Sequence, residues 1–119
     1  MSLIAKSGMT KYVPDRYDII WLNFNPQAGR EQSGMRPALV LSPIEYNQKT
    51  NLCIICPITS KKKGYYFEVE LSNTTTKGVI LTDQVKSLDW QKREAEFKEK
   101  LPADIYSLVL DKIGLLIFE

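Results

Sequence analysis

The sequence predicts a mainly β domain, a small and strongly bent antiparallel sheet or barrel followed by one terminal helix. Three observations carry this. Short apolar stretches recur at even spacing, separated by polar turns rather than by long helical segments. Several of these stretches alternate in character with a period of two, as half-buried strands do. Only the last segment, after Pro102, repeats its apolar positions at helical spacing.

Residues 1–8 precede Met9, a more natural start, and are set aside as an N-terminal extension or expression leader; residues 9–119 are expected to form a single domain. A chain of 119 residues fits one domain with a modest core and is too short for two domains. From Asp18 to Asn25, Ile20, Leu22 and Phe24 fall on one face and Ile19, Trp21 and Asn23 on the other, which makes the first strand. Residues 26–34 read as a polar loop with two glycines, closed by Arg36-Pro37 before Ala38 to Leu41 resume as a strand. Ser42 or Pro43 opens a short helix through Tyr46 and Lys49, with Ser42 and Glu45 spaced as a capping box. Leu52 to Ile58 is the third strand, and Thr59 to Gly64 a basic turn. Phe67 to Leu71 alternates apolar and acidic residues as a half-exposed strand. Gly78 to Leu81 and Gln84 to Leu88 add two more around Thr82-Asp83, giving five or six strands in a row. Pro102 then starts a helix whose inward positions are Ile105, Leu108, Val109, Lys112, Ile113 and Leu116.

Composition narrows the function. Hydrophobic residues at 44% and charged residues at 25% are ordinary for a folded protein. A net charge of +2 recruits no polyanion by itself, so any nucleic-acid role rests on clustered Lys and Arg. No apolar run approaches a membrane span and no secretory leader is visible, which predicts a soluble cytoplasmic protein without membrane contact. Cys53 and Cys56 lie three apart in an apolar strand, so they point to opposite faces and read as core. With no His and no further Cys, a zinc site lacks ligands, and no metal is expected.

Three polar stretches fall at strand ends: residues 29–37, 57–61 and 82–86. Together they offer cations, a carboxylate, hydroxyls and amides, a set suited to a phosphodiester. Taken singly, each is most simply a solvated turn. In this order, however, Tyr12-Val13-Pro14-Asp15, Asp18-Ile19-Ile20-Trp21, Glu31-Gln32 with Arg36-Pro37, Val40-Leu41-Ser42-Pro43, Tyr46-Asn47, Pro57-Ile58-Thr59, Lys63-Gly64-Tyr65 and Asp83-Gln84-Val85-Lys86-Ser87 resemble the MazF/PemK/Kid family of type II toxins, the MazF branch most.

The resemblance implies an SH3-like barrel, a homodimer, and a ribosome-independent, sequence-specific endoribonuclease. Such an enzyme cuts single-stranded mRNA by attack of the 2′-hydroxyl, leaving a 2′,3′-cyclic phosphate and a 5′-hydroxyl with no metal or cofactor. It also implies a MazE-like antitoxin whose acidic tail competes with RNA for the basic groove. Arg36 matches the family's catalytic arginine, whose permanent charge grips phosphate oxygens, and Thr59 its catalytic threonine. Glu31 is the best carboxylate to take the 2′-hydroxyl proton, unless it only holds Arg36. The chain departs from the pattern at Arg30, where some members carry His, and at Leu81, where the Kid branch carries Arg although Asp83 is kept. The general acid is therefore unassigned. Arg30, Gln32, Asn47, Ser60, Lys61, Asp83, Gln84 and Lys86 are the expected substrate contacts; the run Lys61-Lys62-Lys63 either tracks the RNA backbone or is a solvated turn, and Tyr65, Tyr66 or Phe24 either stack on bases or belong to the core. Trp90, beside Gln91-Lys92-Arg93, suits an acidic antitoxin peptide, or else the core. Two rivals stand: a toxin of the same fold that poisons gyrase by contact, and an RNA-binding barrel without catalysis.

Overall fold

Apolar residues supply the strands, and the period of two decides which of two cores each side chain enters. A computed structural model of the chain describes residues 12–24 and 34–118; the expected extension at 1–8 lies outside the described residues. In order come β1 (Asp18–Asn23), β2 (Met35–Val40), α1 (Ile44–Thr50), β3 (Leu52–Thr59), β4 (Glu68–Glu70), β5 (Val79–Leu81), β6 (Lys86–Asp89), β7 (Glu96–Lys100) and α2 (Ala103–Ile117). All strand pairs are antiparallel, in the order β4-β5-β3-β2-β1-β7, with β6 sharing the outer edge of β3 with β5. No ladder joins β4 to β7 among the described residues, so the sheet is bent but open rather than a closed barrel.

Neighbours in sequence go to opposite sides of this sheet. Ile19, Leu39, Cys56, Ile58 and Ile80 meet Ile105, Tyr106, Val109 and Ile113 of α2 in one core, while Ile20, Leu22, Val40, Cys53, Ile55 and Trp90 form the other. Cys53 and Cys56 thus part to opposite faces, as their spacing predicts. Burial, with a smaller contribution from nearby Asp89 and Asp83 respectively, pushes both free thiols up to about 12.

The structure departs from expectation in four places. β2 starts at Met35, so Arg36 and Pro37 belong to a strand and not to the loop before it. The cap of α1 is Pro43 with no side-chain bond, because Ser42 Oγ instead donates to Asn47 Oδ1 at 2.6 Å and accepts from Ile54 N at 2.9 Å. On α2, Tyr106 is buried while Leu108 and Leu116 are exposed, which turns the inward stripe by about one position. β7 has no counterpart among the expected strands. Its Phe97 is half exposed, and its register against β1 slips between Ile19↔Glu99 and Ile20↔Phe97, leaving Lys98 as a bulge that breaks the alternation.

Candidate active site

Two prolines open the cleft. The β2–β3 ladder pairs Val40 with Ile55, Leu39 with Cys56 and Ala38 with Pro57, then stops. Pro37 and Pro57, neither of which has an N–H to give, stand where it stops. Beyond them β2 stays with β1, Leu22 facing Arg36, while β3 turns to β5, Thr59 facing Val79. The strands part, and a cleft of about 510 Å³ opens with Arg36 and Thr59 both lining it. Carried two residues further, the β2–β3 register places these two positions opposite each other.

Around them the cleft is cationic. Lys63 and Lys86 line it with Phe24, Leu81 and Gln84, and no carboxylate does so among the described residues. It runs on at one end past Lys61, Tyr65 and the carboxylate of Glu68, and at the other, beyond Phe24 and Lys86, to Leu88 and Arg93. Low-dielectric walls with one sign of charge concentrate the field on an anionic chain.

Local bonds hold the lips. Thr59 Oγ1 accepts the N–H of Lys61 at 3.1 Å, which leaves its own proton uncommitted to that bond. The basic turn closes on Glu68, whose carboxylate accepts the N–H groups of Lys63 and of Gly64, the latter at 2.8 Å. Burial raises the Glu68 pKa, but the N–H groups of Gly64, Lys63 and Tyr65 outweigh it and leave it lowered. That carboxylate is spent on the turn. Lys62 is drawn off to Glu70 at 2.9 Å, so Lys61 and Lys63 are the turn lysines that face the cleft.

Residues 15–117 match the family of the PemK-like, MazF-like toxin of type II toxin–antitoxin systems. The chain belongs to that family. It is 48% identical over 109 residues to the endoribonuclease toxin MazF of Escherichia coli strain K12, covering 92% of this chain and 98% of that protein. With the endoribonuclease PemK of Escherichia coli it shares 31% identity over 104 residues, 82% of this chain and 78% of the relative. The crystal structure of MazF from Deinococcus radiodurans matches at a TM-score of 0.83 and 51% identity, over 92% of this chain and 100% of that one. A MazE–MazF structure from the same organism matches at 0.82 and 46%, over 91% and 98%.

For this PemK/MazF-like toxin, the expected site residues divide into four groups, the last being the buried Asn47 and Trp90. Arg36, Thr59, Lys61, Gln84 and Lys86 converge on the cleft and its extension, with Phe24 and Tyr65 among the aromatics. Ser60 and Asp83 are exposed but do not line it. Glu31, Arg30 and Gln32 lie outside the described residues.

Two expectations are corrected, and one is decided between its alternatives. Asn47 is 0% exposed and reaches no substrate: its Nδ2 donates to Pro14 O at 2.8 Å and to Ser42 O at 3.0 Å, and its Oδ1 accepts from Ser42. Trp90 takes the core alternative, 6% exposed, with Nε1 donating to Asn47 O at 2.8 Å. Tyr66 turns from the cleft to α2, where Lys112 sits over its ring at 3.7 Å and donates to its carbonyl. Leu81 and Arg93 are not among the expected contacts. Lys63 stood in view within Lys61-Lys62-Lys63, but nothing local says which of three lysines an acidic partner on the next strand will remove.

Proposed function

We propose that this PemK/MazF-like toxin is a sequence-specific endoribonuclease that cuts single-stranded mRNA by internal attack, independently of the ribosome and of any metal or cofactor. One observation carries the reading: Arg36 and Thr59, from strands that part at Pro37 and Pro57, line a single cationic cleft. The 2′-oxygen forms a bond to the adjacent phosphorus while the bond from phosphorus to the 5′-oxygen breaks. The 2′-proton passes to a base, assigned to Glu31, and the leaving 5′-oxygen takes up a proton. Arg36 holds the phosphate oxygens as negative charge grows on them, and the Thr59 hydroxyl donates to one of them. Lys61, Lys63 and Lys86 track the flanking phosphates, Gln84 offers an amide to a base edge, and Phe24 and Tyr65 offer rings for stacking.

Family membership and the close relatives support the rest of the reading. Residues 9–119 act in the cytoplasm as a homodimer, checked by a MazE-like antitoxin whose acidic segment competes with RNA for the cleft. Incubation of the protein with a long single-stranded RNA in EDTA, beside Arg36→Ala, tests it. Wild type cuts to cyclic-phosphate ends, and the variant cuts roughly 10³-fold more slowly. RNA left intact but bound in a salt-dependent way would make the protein a binder only, and equal cutting by both would remove Arg36 from the mechanism.

A further inference from the structure

The open sheet is bridged by one carboxylate. β7 and β5 lie near opposite ends of the strand order, yet Glu99 of β7 accepts four hydrogen bonds from the loop leading into β5. These come from the N–H and Oγ1 of Thr75 at 3.0 and 2.9 Å, and from the N–H and Oγ1 of Thr76 at 2.7 and 2.5 Å. Lys98, the bulge residue, lies over Trp21 and 3.8 Å from the Glu99 carboxylate. Burial raises the Glu99 pKa, but the threonine hydroxyls and N–H groups prevail and hold it at about 2, so the clamp stays charged at working pH.

Two residues past Thr76 the loop meets the cleft. Gly78 has a φ of +118°, and a Cβ there would lie 2.2 Å from the Thr59 carbonyl oxygen and 2.8 Å from its carbon. Only a glycine fits, and where this loop sits decides where Thr59 sits. The next residue, Val79, pairs with Thr59 itself.

We propose that Glu99 is a positioning residue for RNA cleavage: by clamping Thr75 and Thr76 it seats Gly78 against the Thr59 backbone and so fixes the Thr59 hydroxyl at the cleft. This rests on the reading of Thr59 as a group that acts on the scissile phosphate. The test measures kcat and KM for a defined RNA, well below each variant's melting temperature, with full-length wild type, Glu99→Ala, Glu99→Gln, Thr59→Ala and the Thr59→Ala/Glu99→Ala pair. Glu99→Ala is expected to lower kcat roughly 10-fold while KM moves less than about two-fold, since misplacement of a reacting group is felt in the chemical step. Glu99→Gln keeps one acceptor and falls between. In the Thr59→Ala background the second substitution removes nothing more, because the group it positions is gone.

A merely structural Glu99 would instead give losses that multiply independently of Thr59, and that result, or full kcat in Glu99→Ala, overturns the proposal. Should Glu99→Ala not fold, Glu99→Gln is taken through the same cycle: a loss that vanishes in the Thr59→Ala background supports the clamp, and an independent loss or none overturns it. A wild type that leaves RNA intact sinks the nuclease reading and this inference together. A cutting wild type with independent losses sinks this inference alone.

Discussion

The two ends of the β2–β3 pair carry similar kinds of residue and put them to opposite uses. At one end Arg36, Thr59, Gln84 and Lys86 edge an open cleft, and the bond that Thr59 Oγ1 accepts leaves its own donor to spare. Past the other end, Ser42, Asn47 and Trp90 are buried, and each polar side chain is paired: Ser42 with Asn47 and Ile54, Asn47 with Pro14 and Ser42, Trp90 with the Asn47 carbonyl. A buried polar group must be satisfied or it costs stability, whereas a site must keep bonding capacity for its substrate. Hydrogen-bond saturation, not residue type, separates scaffold from site here.

That contrast is sharpest in activity. Arg36→Ala should lose roughly 10³-fold in kcat/KM with the unfolding free energy within about 0.5 kcal/mol of wild type, since Arg36 is exposed. Calorimetry beside the cleavage assay checks it, and a large fall in melting temperature would place Arg36 in the scaffold.

Asn47→Ala should do the reverse, costing about 3 kcal/mol by stranding the Pro14 and Ser42 carbonyls and the Ser42 hydroxyl, with kcat per folded molecule unchanged. Denaturant unfolding reads the loss. A stable Asn47→Ala that fails to cut would return Asn47 to the site.

Glu99 offers a pH test. Its folded pKa of about 2 lies below the ordinary value of 4.5, so its stabilisation is complete above about pH 5 and is lost as pH falls toward 2. The loss should be on the order of 2 kcal/mol, allowing for partial solvent screening of a side chain 18% exposed. Melting temperature against pH should fall less steeply in Glu99→Gln than in wild type; identical slopes would assign the acid loss elsewhere.

The smallest effects belong to the flanking lysines. Lys63→Ala and Lys86→Ala should each weaken binding of a 2′-deoxy, uncleavable strand about 3-fold to 10-fold and reduce the salt slope by about 0.7. Lys62→Ala, whose lysine pairs with Glu70, should change neither. Equal effects at all three lysines would mean that the whole turn, not the two lysines lining the cleft, meets the RNA.

Much of the fold is legible in the chain alone. The alternation at Ile19 to Leu22 and the run Leu52 to Ile58 specify strands because period two is a local property, and Cys53 and Cys56 part to opposite faces for the same reason. The ordered segments around Arg36 and Thr59 point to the family and the cleft. β7 escapes because a bulge at Lys98 breaks its alternation, and the strand Met35–Val40 starts earlier than its residues suggest because Arg36-Pro37 resembles a loop until β1 is seen beside it. Leu108 and Leu116 mislead because a helical stripe fixes a period but not its phase against the sheet.

By itself, then, the sequence determined which segments become strands and which residue types stand at their ends, because both follow from neighbours a few positions apart. Only the tertiary structure decided which of those polar ends is saturated and which is open. Asn47 and Trp90 stand 43 residues apart, and Glu99 stands 23 from Thr76. Whether a hydrogen bond is made across such a span depends on how the sheet bends, and no local pattern encodes that.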